Sequence, residues 1–307
     1  MPALEVKGLK KSFGKTVVLK EVTFEVEKGR ALGFVGRNGA GKTTTMKIIM
    51  GLLSKDGGDI YLAGKRLEKN FDYQGIRVGY LPDVPEFYNY LKPKEYLKLC
   101  GEIMGLDKKM IEVEIKELLE LFELTKADKK IGSFSRGMKQ RLGMAQALLG
   151  KPDLLLCDEP PSALDPIGRH DILELMKKIK TRTTIVFSTH VLSDVEEVCD
   201  DVAVLHEGRI LYWGDMDQLK GSSKRPILVV ELDLKAEEES FIEFLLARNY
   251  RYELLESEIK ISLPEKTEES QKVRDEIWNY ILNNKLMVKK YLQEKASLED
   301  VFMDMTL

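Results

Sequence analysis

A chain of 307 residues with 43% hydrophobic side chains has enough apolar material to pack one or two domains, which excludes a fibrous or disordered class. Its 48 basic and 51 acidic residues give a net charge of -3, so neither a nucleic-acid partner nor direct attraction to anionic lipid is predicted. Three isolated cysteines and a beginning unlike a signal peptide favour a reducing cytosol. The apolar runs are strand-sized, so we expect any membrane pore to be built by another chain.

The first elements in chain order are predicted to be strands. Apolar and polar positions alternate through residues 3 to 35, and Gly14 and Gly29 mark tight turns. From residue 84 to 149 the periodicity becomes helical, as in the amphipathic segment from residue 111 to 122. This change predicts a helical subdomain.

Strand-like runs then return, alternating with a helical stretch. The runs cover residues 154–157, 184–187 and 202–205, and the helix covers residues 168–180 between the first two. Alternation of strand and helix predicts a largely parallel sheet, and therefore an α/β core.

A polar, turn-rich stretch from residue 220 to 226 predicts a domain boundary. The segments after it follow the order strand, helix, strand, strand, helix, strand, which is that of a ferredoxin-like sandwich. These segments cover residues 227–234, 240–248, two strands within 250–263, then 269–282 and 285–292. A last short helix is predicted at Ser297, capped with the help of Asp300. We therefore expect two domains, 1–220 and 226–307.

The strongest motif is the stretch Gly-Arg-Asn-Gly-Ala-Gly-Lys-Thr-Thr at residues 36 to 44. It lies between an apolar run and a helical segment, which is the setting of a P-loop. Backbone amides of such a loop surround the β- and γ-phosphates of ATP, and the positive end of the following helix faces them. We expect Lys42 to contact these phosphates and Thr43 to bind Mg²⁺. The predicted ATP-binding residues are Gly36, Asn38, Gly39, Ala40, Gly41, Lys42, Thr43 and Thr44. The full pattern disfavours the alternative, a turn that merely joins strand and helix.

The apolar run 154–157 ends in two acids. Asp158 is a candidate Mg²⁺ ligand, directly or through water, and Glu159 is a candidate catalytic residue that polarises the attacking water. Acids are common at strand ends, so this pair alone would indicate nothing. Together with the P-loop it predicts Mg²⁺-dependent ATP hydrolysis.

A third motif separates this chain from other P-loop proteins. Residues 134 to 141 have the sequence Phe-Ser-Arg-Gly-Met-Lys-Gln-Arg and lead into a helix. Here the chain resembles the ABC (ATP-binding cassette) ATPase family, whose signature is Leu-Ser-Gly-Gly-Gln. Ser135 and Gly137 match that signature, whereas Phe134, Arg136 and Met138 depart from it. The resemblance implies that this helix start closes on the γ-phosphate of ATP held by an opposite subunit. An ordinary capped helix would be the favoured interpretation if the motif stood alone.

The resemblance covers about residues 3 to 217 and implies roles for four further residues. It implies that Asp165 belongs to the D-loop that links the two nucleotide sites, and that His190 is the catalytic switch histidine. Phe13 matches the aromatic residue that stacks on adenine, with core packing as the alternative. Asp83 lies where the family usually has the glutamine of the Q-loop; a carboxylate can bind Mg²⁺ through water but lacks the donors of an amide. For His170 and His206 we expect only structural or surface roles.

The resemblance implies an ABC cassette with a β-rich subdomain, a parallel-sheet core and a helical subdomain, followed by the ferredoxin-like domain. It implies a Mg²⁺-dependent ATPase subunit that powers a transmembrane permease, pairs with a second copy of itself or a related subunit, and lies at the cytoplasmic face of the membrane. Similarity to ABC-2-type subunits favours export. The alternatives are cytosolic ABC ATPases acting on ribosomes or in DNA repair, and a binding module without turnover.

For the C-terminal domain we expect a regulatory or dimer-supporting role, because it has no glycine-rich loop and no histidine. Val273, Ile277 and Ile281 recur at helical spacing and are predicted to lie in its core. The terminal segment supplies a candidate contact stripe able to pack on the cassette, on a partner or on its own domain. Its residues are Leu298, Val301, Phe302 and Met305.

Overall fold

The computed structural model describes residues 1–67, 75–162, 164–222, 226–255, 257–264, 266–294 and 297–306. The chain forms two compact units, Met1–Met216 and Asp217–Leu307. The turn-rich stretch 220–226 lies just after this division and overlaps the end of a helix over Met216–Ser222. Part of the stretch, residues 223–225, is outside the described residues.

The first unit contains strands and helices in the predicted order. The strands are β1 (Pro2–Phe13), β2 (Thr16–Glu27), β3 (Ala31–Val35), β4 (Gly57–Leu62), β5 (Lys65–Arg66), β6 (Val78–Leu81), β7 (Leu154–Asp158), β8 (Thr184–Thr189), β9 (Asp201–His206) and β10 (Arg209–Asp215). The helices are α1 (Lys42–Ile49), α2 (Pro93–Ile103), α3 (Lys108–Leu121), α4 (Arg136–Leu148), α5 (Pro166–Lys180) and α6 (Leu192–Val198).

The central sheet has the strand order β10-β9-β3-β8-β7-β6. Its strands are parallel except β10, which pairs antiparallel with β9 at one edge. Every residue of β3, β7 and β8 is buried, as expected for continuous apolar strands covered on both faces. The predicted parallel sheet is confirmed, and its carboxyl edge brings together the residues that follow β3, β6, β7 and β8.

A second, antiparallel sheet of order β2-β1-β4-β5 packs against the central sheet. The two sheets share one apolar core, in which the rings of Phe24 and Phe34 lie 5.0 Å apart. This is the predicted β-rich subdomain. Phe13 is the last residue of its strand β1.

The helical subdomain follows β6 and contains α2, α3 and α4. Asp107 caps α3 by accepting hydrogen bonds from the backbone N–H groups of Lys109 and Met110 at 2.9 and 3.3 Å. Ile111, Ile115 and Leu118 form the buried stripe of this helix. The amphipathic helix predicted at residues 111 to 122 is therefore confirmed, but it begins at Lys108, directly after the cap. No helix in the described ranges is both long and apolar enough to cross a bilayer.

The second unit has the predicted order of elements. They are α7 (Met216–Ser222), β11 (Ile227–Leu232), α8 (Lys235–Ala247), β12 (Tyr252–Leu255), β13 (Glu258–Ser262), α9 (Thr267–Asn283), β14 (Val288–Glu294) and α10 (Leu298–Thr306). Apart from the short α7 and α10, this is βαββαβ, and its antiparallel sheet has the order β12-β13-β11-β14. The ferredoxin-like sandwich inferred from the sequence is thus the observed topology.

The two largest differences from the predicted element boundaries in this unit are the starts of α8 and β14. Helix α8 begins at Lys235 instead of residue 240, and Glu237 and Glu238 occupy its first turn, where acids favour the helix dipole. Strand β14 begins at Val288 instead of residue 285. Lys285 has a φ of 56°, so the turn after α9 continues past this residue before the chain can extend.

The predicted core and cap of the C-terminal segment are confirmed. Ile277 and Ile281 are buried, and Val273 packs against the same cluster. The backbone N–H of Ser297 donates to the Asp300 carboxylate at 2.7 Å, and that of Asp300 donates to the Ser297 hydroxyl at 3.2 Å.

Two of the four residues of the terminal contact stripe are covered within this chain, which is among the packing alternatives left open for the stripe. Leu298 is 0% and Val301 is 4% exposed, whereas Phe302 and Met305 are half-buried. The first pair therefore contributes to the chain's own packing and offers no free surface to a partner.

Replacement of Gly79 by alanine tests the packing of α4 on β6. A Cβ at this position would lie 2.0 Å from the backbone O of Ala147, which cannot move without shifting the helix. We expect the Gly79→Ala variant to lose about 1–3 kcal/mol of stability and to unfold roughly 3–10 °C lower. Thermal unfolding followed by circular dichroism measures this. Gly57→Ala is the control, since its Cβ would meet the Lys10 side chain at an ordinary 3.4 Å. Equal unfolding temperatures for the two variants would show that close packing at Gly79 does not limit stability.

Candidate functional site

The glycine-rich loop lies between the end of β3 and the start of α1, as predicted. Gly39 and Gly41 have φ values of 82° and 114°, which side chains other than glycine rarely adopt. At Gly36 a Cβ would lie 2.4 Å from the backbone O of Leu205. Backbone conformation therefore requires glycine at positions 39 and 41, and close packing requires glycine at position 36. The loop residues Arg37, Asn38 and Gly39 are exposed, as is Thr43.

Lys42, the first residue of α1, turns back over this loop. Its Nζ donates to the Gly36 carbonyl O at 2.8 Å and to that of Arg37 at 3.4 Å. Nζ also lies 3.4 Å from Glu159 Oε1, although the lysine is only 5% exposed. A buried ammonium needs counter-charge and acceptors, and these three groups provide them.

Glu159 connects the loop to the neighbouring strand ends. Its Oε1 faces Lys42, and its Oε2 lies 2.9 Å from His190 Nδ1. The backbone N–H of Glu159 donates to the Ser188 carbonyl O at 3.0 Å. The residue has a φ of 47°, an uncommon value for a non-glycine residue and one that concentrates at functional sites. Glu159 is therefore in contact with both other predicted catalytic residues, Lys42 and His190.

Asp158 ends β7 opposite Ser188 of β8 and is 3% exposed. The Ser188 hydroxyl donates to Asp158 Oδ1 at 2.5 Å, which fixes the orientation of the carboxylate. The sequence analysis assigned a role to His190 but none to Ser188, two residues earlier. The signal that was available is the polar Ser-Thr pair at the end of an otherwise apolar strand.

Asp83 follows β6, the strand paired with β7 on its other side. The register places Leu81 opposite Cys157, so Asp83 and Asp158 both lie just beyond the carboxyl ends of adjacent strands. Asp83 Oδ1 is buried and has no hydrogen-bond partner among the described residues. Burial, together with the nearby charges of Asp158 and Asp83, raises the pKa of the Tyr80 phenol to about 12. Tyr80 therefore stays protonated at neutral pH, between two carboxylates.

Ser135, Gly137 and Asp165 line a different surface. They share an open cleft of about 510 Å³ between the starts of α4 and α5, and its described lining includes no residue of the glycine-rich loop. Ser135 Oγ accepts from the Met138 backbone N–H at 3.3 Å, and Asp165 Oδ1 accepts from that of Gly168 at 2.9 Å. Each side chain is thus the N-cap of a helix. The structure does not bring these three residues to Lys42 within one chain.

Phe13 lies at the end of β1 with 49% of its surface exposed. The Nζ of Lys11 lies 5.4 Å from the centroid of its ring. Phe13 therefore does not lie in the core, which was the alternative interpretation of this aromatic residue. The exposed ring is available for stacking.

His170 has the surface position expected for it. Together with Glu174 and Glu197 it forms an exposed polar group, in which Lys177 Nζ donates to the two carboxylates at 2.7 and 2.8 Å. The lysine already neutralises these acids. His206 ends β9 and is half-buried.

A lysine held against the carbonyls of a glycine-rich loop, beside an acid pair on a parallel sheet, places the chain among the P-loop NTPases. The profile of the family described as ABC transporter matches residues 19–162. The chain is 37% identical to the ABC transporter ATP-binding protein YxlF of Bacillus subtilis, with 98% of each chain covered. It is 38% identical to the bacitracin transport ATP-binding protein BcrA of Bacillus licheniformis over 72% of each chain. A solved structure described as the ATP-binding subunit of an ABC transporter matches with a TM-score of 0.64 at 36% identity, covering 72% of this chain and 92% of that one.

The chain belongs to the ABC transporter ATP-binding proteins. It is an ATP-binding subunit that powers a transporter. Members of this family are ATPases in general, and they act as dimers with transmembrane permease partners. The resemblance inferred from the residues is therefore confirmed for family, fold and function.

Proposed function

We propose that this chain hydrolyses Mg²⁺–ATP at the site formed by the glycine-rich loop, Asp158, Glu159 and His190, and thereby drives export through a separate permease. The observation that carries the proposal is the contact of Glu159 with both Lys42 and His190, 3.4 and 2.9 Å away. This arrangement supplies a cation for the phosphates and a carboxylate beside them for the attacking water. His190, whose side chain is 46% exposed, would contact the γ-phosphate.

The residues at the site fit a magnesium ion. Thr43 is exposed, Asp158 ends β7, and Asp83 Oδ1 is a buried oxygen without a partner among the described residues. Oxygen ligands of this kind are what Mg²⁺ prefers, with water and phosphate completing the shell. When bound, the ion would neutralise the charge that develops on the phosphates. Thr43, Asp158 and Asp83 would hold it.

Lys42 and the loop amides would bind and orient the β- and γ-phosphates, and Phe13 would stack on the adenine. Glu159 would orient the attacking water and take its proton, because its carboxylate lies 3.4 Å from the lysine that would bind the phosphates. Ser188 would keep Asp158 in position through its hydroxyl. These side chains come from four separate strand ends, so the hydrolytic geometry depends on the register of the sheet.

We further propose that two chains pair head to tail. The cleft of Ser135, Gly137 and Asp165 carries a helix start suited to phosphate, yet lies apart from Lys42. A second copy, or a related subunit, would bring its own cleft to the ATP bound at this loop. Two ATP molecules would then be enclosed between the chains, and their hydrolysis would reopen the pair.

Export through a membrane partner is the direction we propose. The segment 134–149, the Leu-Asp-Pro sequence at 164–166 and the C-terminal extension resemble ABC-2-type exporter subunits. The similarity to a bacitracin transport protein supports the same direction. The chain would bind peripherally to its permease at the cytoplasmic face of the membrane. The exposed side chains of Val84, Tyr88 and Tyr90, which follow β6, form the surface that we propose contacts the permease.

Replacement of Glu159 by glutamine tests the catalytic assignment. Glutamine keeps the length of the side chain but cannot accept the proton of water, so turnover should fall by about 10²–10⁴. ATP binding should persist, since Lys42 keeps its loop carbonyls and loses only a competing carboxylate. Steady-state ATPase assays and equilibrium binding measure the two effects. Glu102→Gln, on the exposed face of α2, is the matched control and should hydrolyse normally; normal turnover by Glu159→Gln would refute the assignment.

Complementation between two inactive variants tests the head-to-tail pairing. Lys42→Ala removes the loop lysine and Ser135→Arg blocks the helix start, so each homodimer should lack two working sites. In a mixed dimer both lesions fall on one composite site and the other site is intact. ATPase activity should therefore return when the two proteins are mixed. A mixture as inactive as its components, with folding of both confirmed by circular dichroism, would argue against the pairing.

Removal of the second unit tests its proposed regulatory or dimer-supporting role. Truncation after Ser222 keeps every candidate nucleotide-binding residue. We expect the truncated chain to bind ATP with nearly unchanged affinity, while ATP-induced dimerisation or stimulation by the permease weakens. Isothermal titration calorimetry and size-exclusion chromatography measure the two properties. Loss of nucleotide affinity in a truncated chain that still unfolds cooperatively would show that the division of roles is wrong.

A further inference from the structure

Asp83 is the feature of the proposed site that family membership leaves unexplained. The register of β6 and β7 pairs Leu81 with Cys157, so Asp83 lies just beyond the end of β6, at the same carboxyl edge of the sheet as Asp158. Where the family's usual glutamine would offer a neutral amide, this chain has a carboxylate. The proposed cation site therefore has two protein carboxylates on adjacent strand ends, together with the hydroxyl of Thr43.

The two carboxylates differ in how their oxygens are satisfied. Asp158 is buried and accepts a hydrogen bond from Ser188 on Oδ1. Asp83 Oδ1 is also buried, but no described residue donates to it. Withdrawing a polar atom from water without a partner is unfavourable, so a buried carboxylate oxygen requires a proton, a donor or a cation. No lysine or arginine lies within ion-pair distance of Asp83 in the described part of the chain.

We infer that Asp83 makes nucleotide binding by this chain strongly dependent on a divalent cation, more so than an amide at position 83 would. The inference rests on the proposed function, because it assumes that ATP binds at the loop of residues 36–44. The Asp83 carboxylate attracts the divalent cation. It repels a nucleotide that has no cation bound.

Coulomb's law gives the direction of both effects. A carboxylate next to the phosphates opposes metal-free ATP, which brings several negative charges to a site where Asp158 and Glu159 are already anionic. The same carboxylate favours the Mg²⁺ complex, in which the ion lies between the acids and the phosphates. Asp83 therefore weakens the binding of metal-free nucleotide and strengthens the binding of metal-bound nucleotide, so the gap between the two affinities increases. Neutralising it should narrow that gap.

The test is the affinity of the full-length chain for a non-hydrolysable ATP analogue, measured by calorimetry in excess EDTA and in excess Mg²⁺. Wild type, Asp83→Asn and Asp83→Gln are compared; the first substitution preserves shape and the second restores the family's residue. We expect the ratio of the two dissociation constants to shrink by about tenfold in both variants, through tighter metal-free binding and weaker metal-bound binding. Glu86→Gln, an exposed acid in the same segment, is the matched control and should keep the wild-type ratio.

Mn²⁺ provides a readout that does not depend on nucleotide affinity. The electron paramagnetic resonance signal of free Mn²⁺ reports the fraction of ion bound by the protein–nucleotide complex, and this fraction should fall in both Asp83 variants. Unchanged ratios and unchanged Mn²⁺ binding in both variants, with wild type binding the analogue normally, would overturn this inference and leave the proposed function standing. Failure of the wild-type chain to bind the analogue at all would overturn both.

Discussion

The ammonium of Lys42, only 5% exposed, must be neutralised where it lies, and this requirement governs the carboxyl edge of the central sheet. Its partners are Gly36 on its own loop and Glu159 at the end of a strand that is not adjacent to β3. The contact with Glu159 exists only when β3, β8 and β7 are parallel and in register, because only then do their ends meet at one edge. In the proposed function the phosphates of ATP take over as the counter-charge.

The backbone on both sides of the Lys42–Glu159 ion pair has uncommon left-handed conformations. Gly41 begins α1 in a left-handed conformation and directs the first turn of the helix towards the loop. Glu159 adopts a left-handed conformation although it has a side chain, and a hydrogen bond from its N–H to Ser188 holds it there. The fully buried strands β7 and β8 compensate for this local strain. A rigid sheet therefore positions the Glu159 carboxylate against Lys42 and His190.

One chain contains two separate groups of candidate nucleotide-binding residues. The loop of residues 36–44 meets Glu159 and His190, whereas Ser135 and Asp165 act as helix caps around a separate cleft. Their capping hydrogen bonds hold the starts of α4 and α5 in place. A fixed surface of this kind suits the proposed contact with a second chain. This separation is the structural basis for proposing a dimer, and it explains how a family of ATPases can couple hydrolysis to the association of subunits.

The sequence by itself determined the family and the order of elements and predicted the residues of the candidate site, because these depend on local patterns: the glycines at 36, 39 and 41, the acids after an apolar strand, and the change from alternating to helical periodicity. It also determined the cap at Ser297, since the cap involves residues three positions apart. Only the tertiary structure decided that Ser188 orients Asp158, that Phe13 is exposed, that Leu298 and Val301 are buried, and that Asp83 has an unsatisfied oxygen. Each of these depends on which distant segment lies opposite a side chain, and no local preference encodes that.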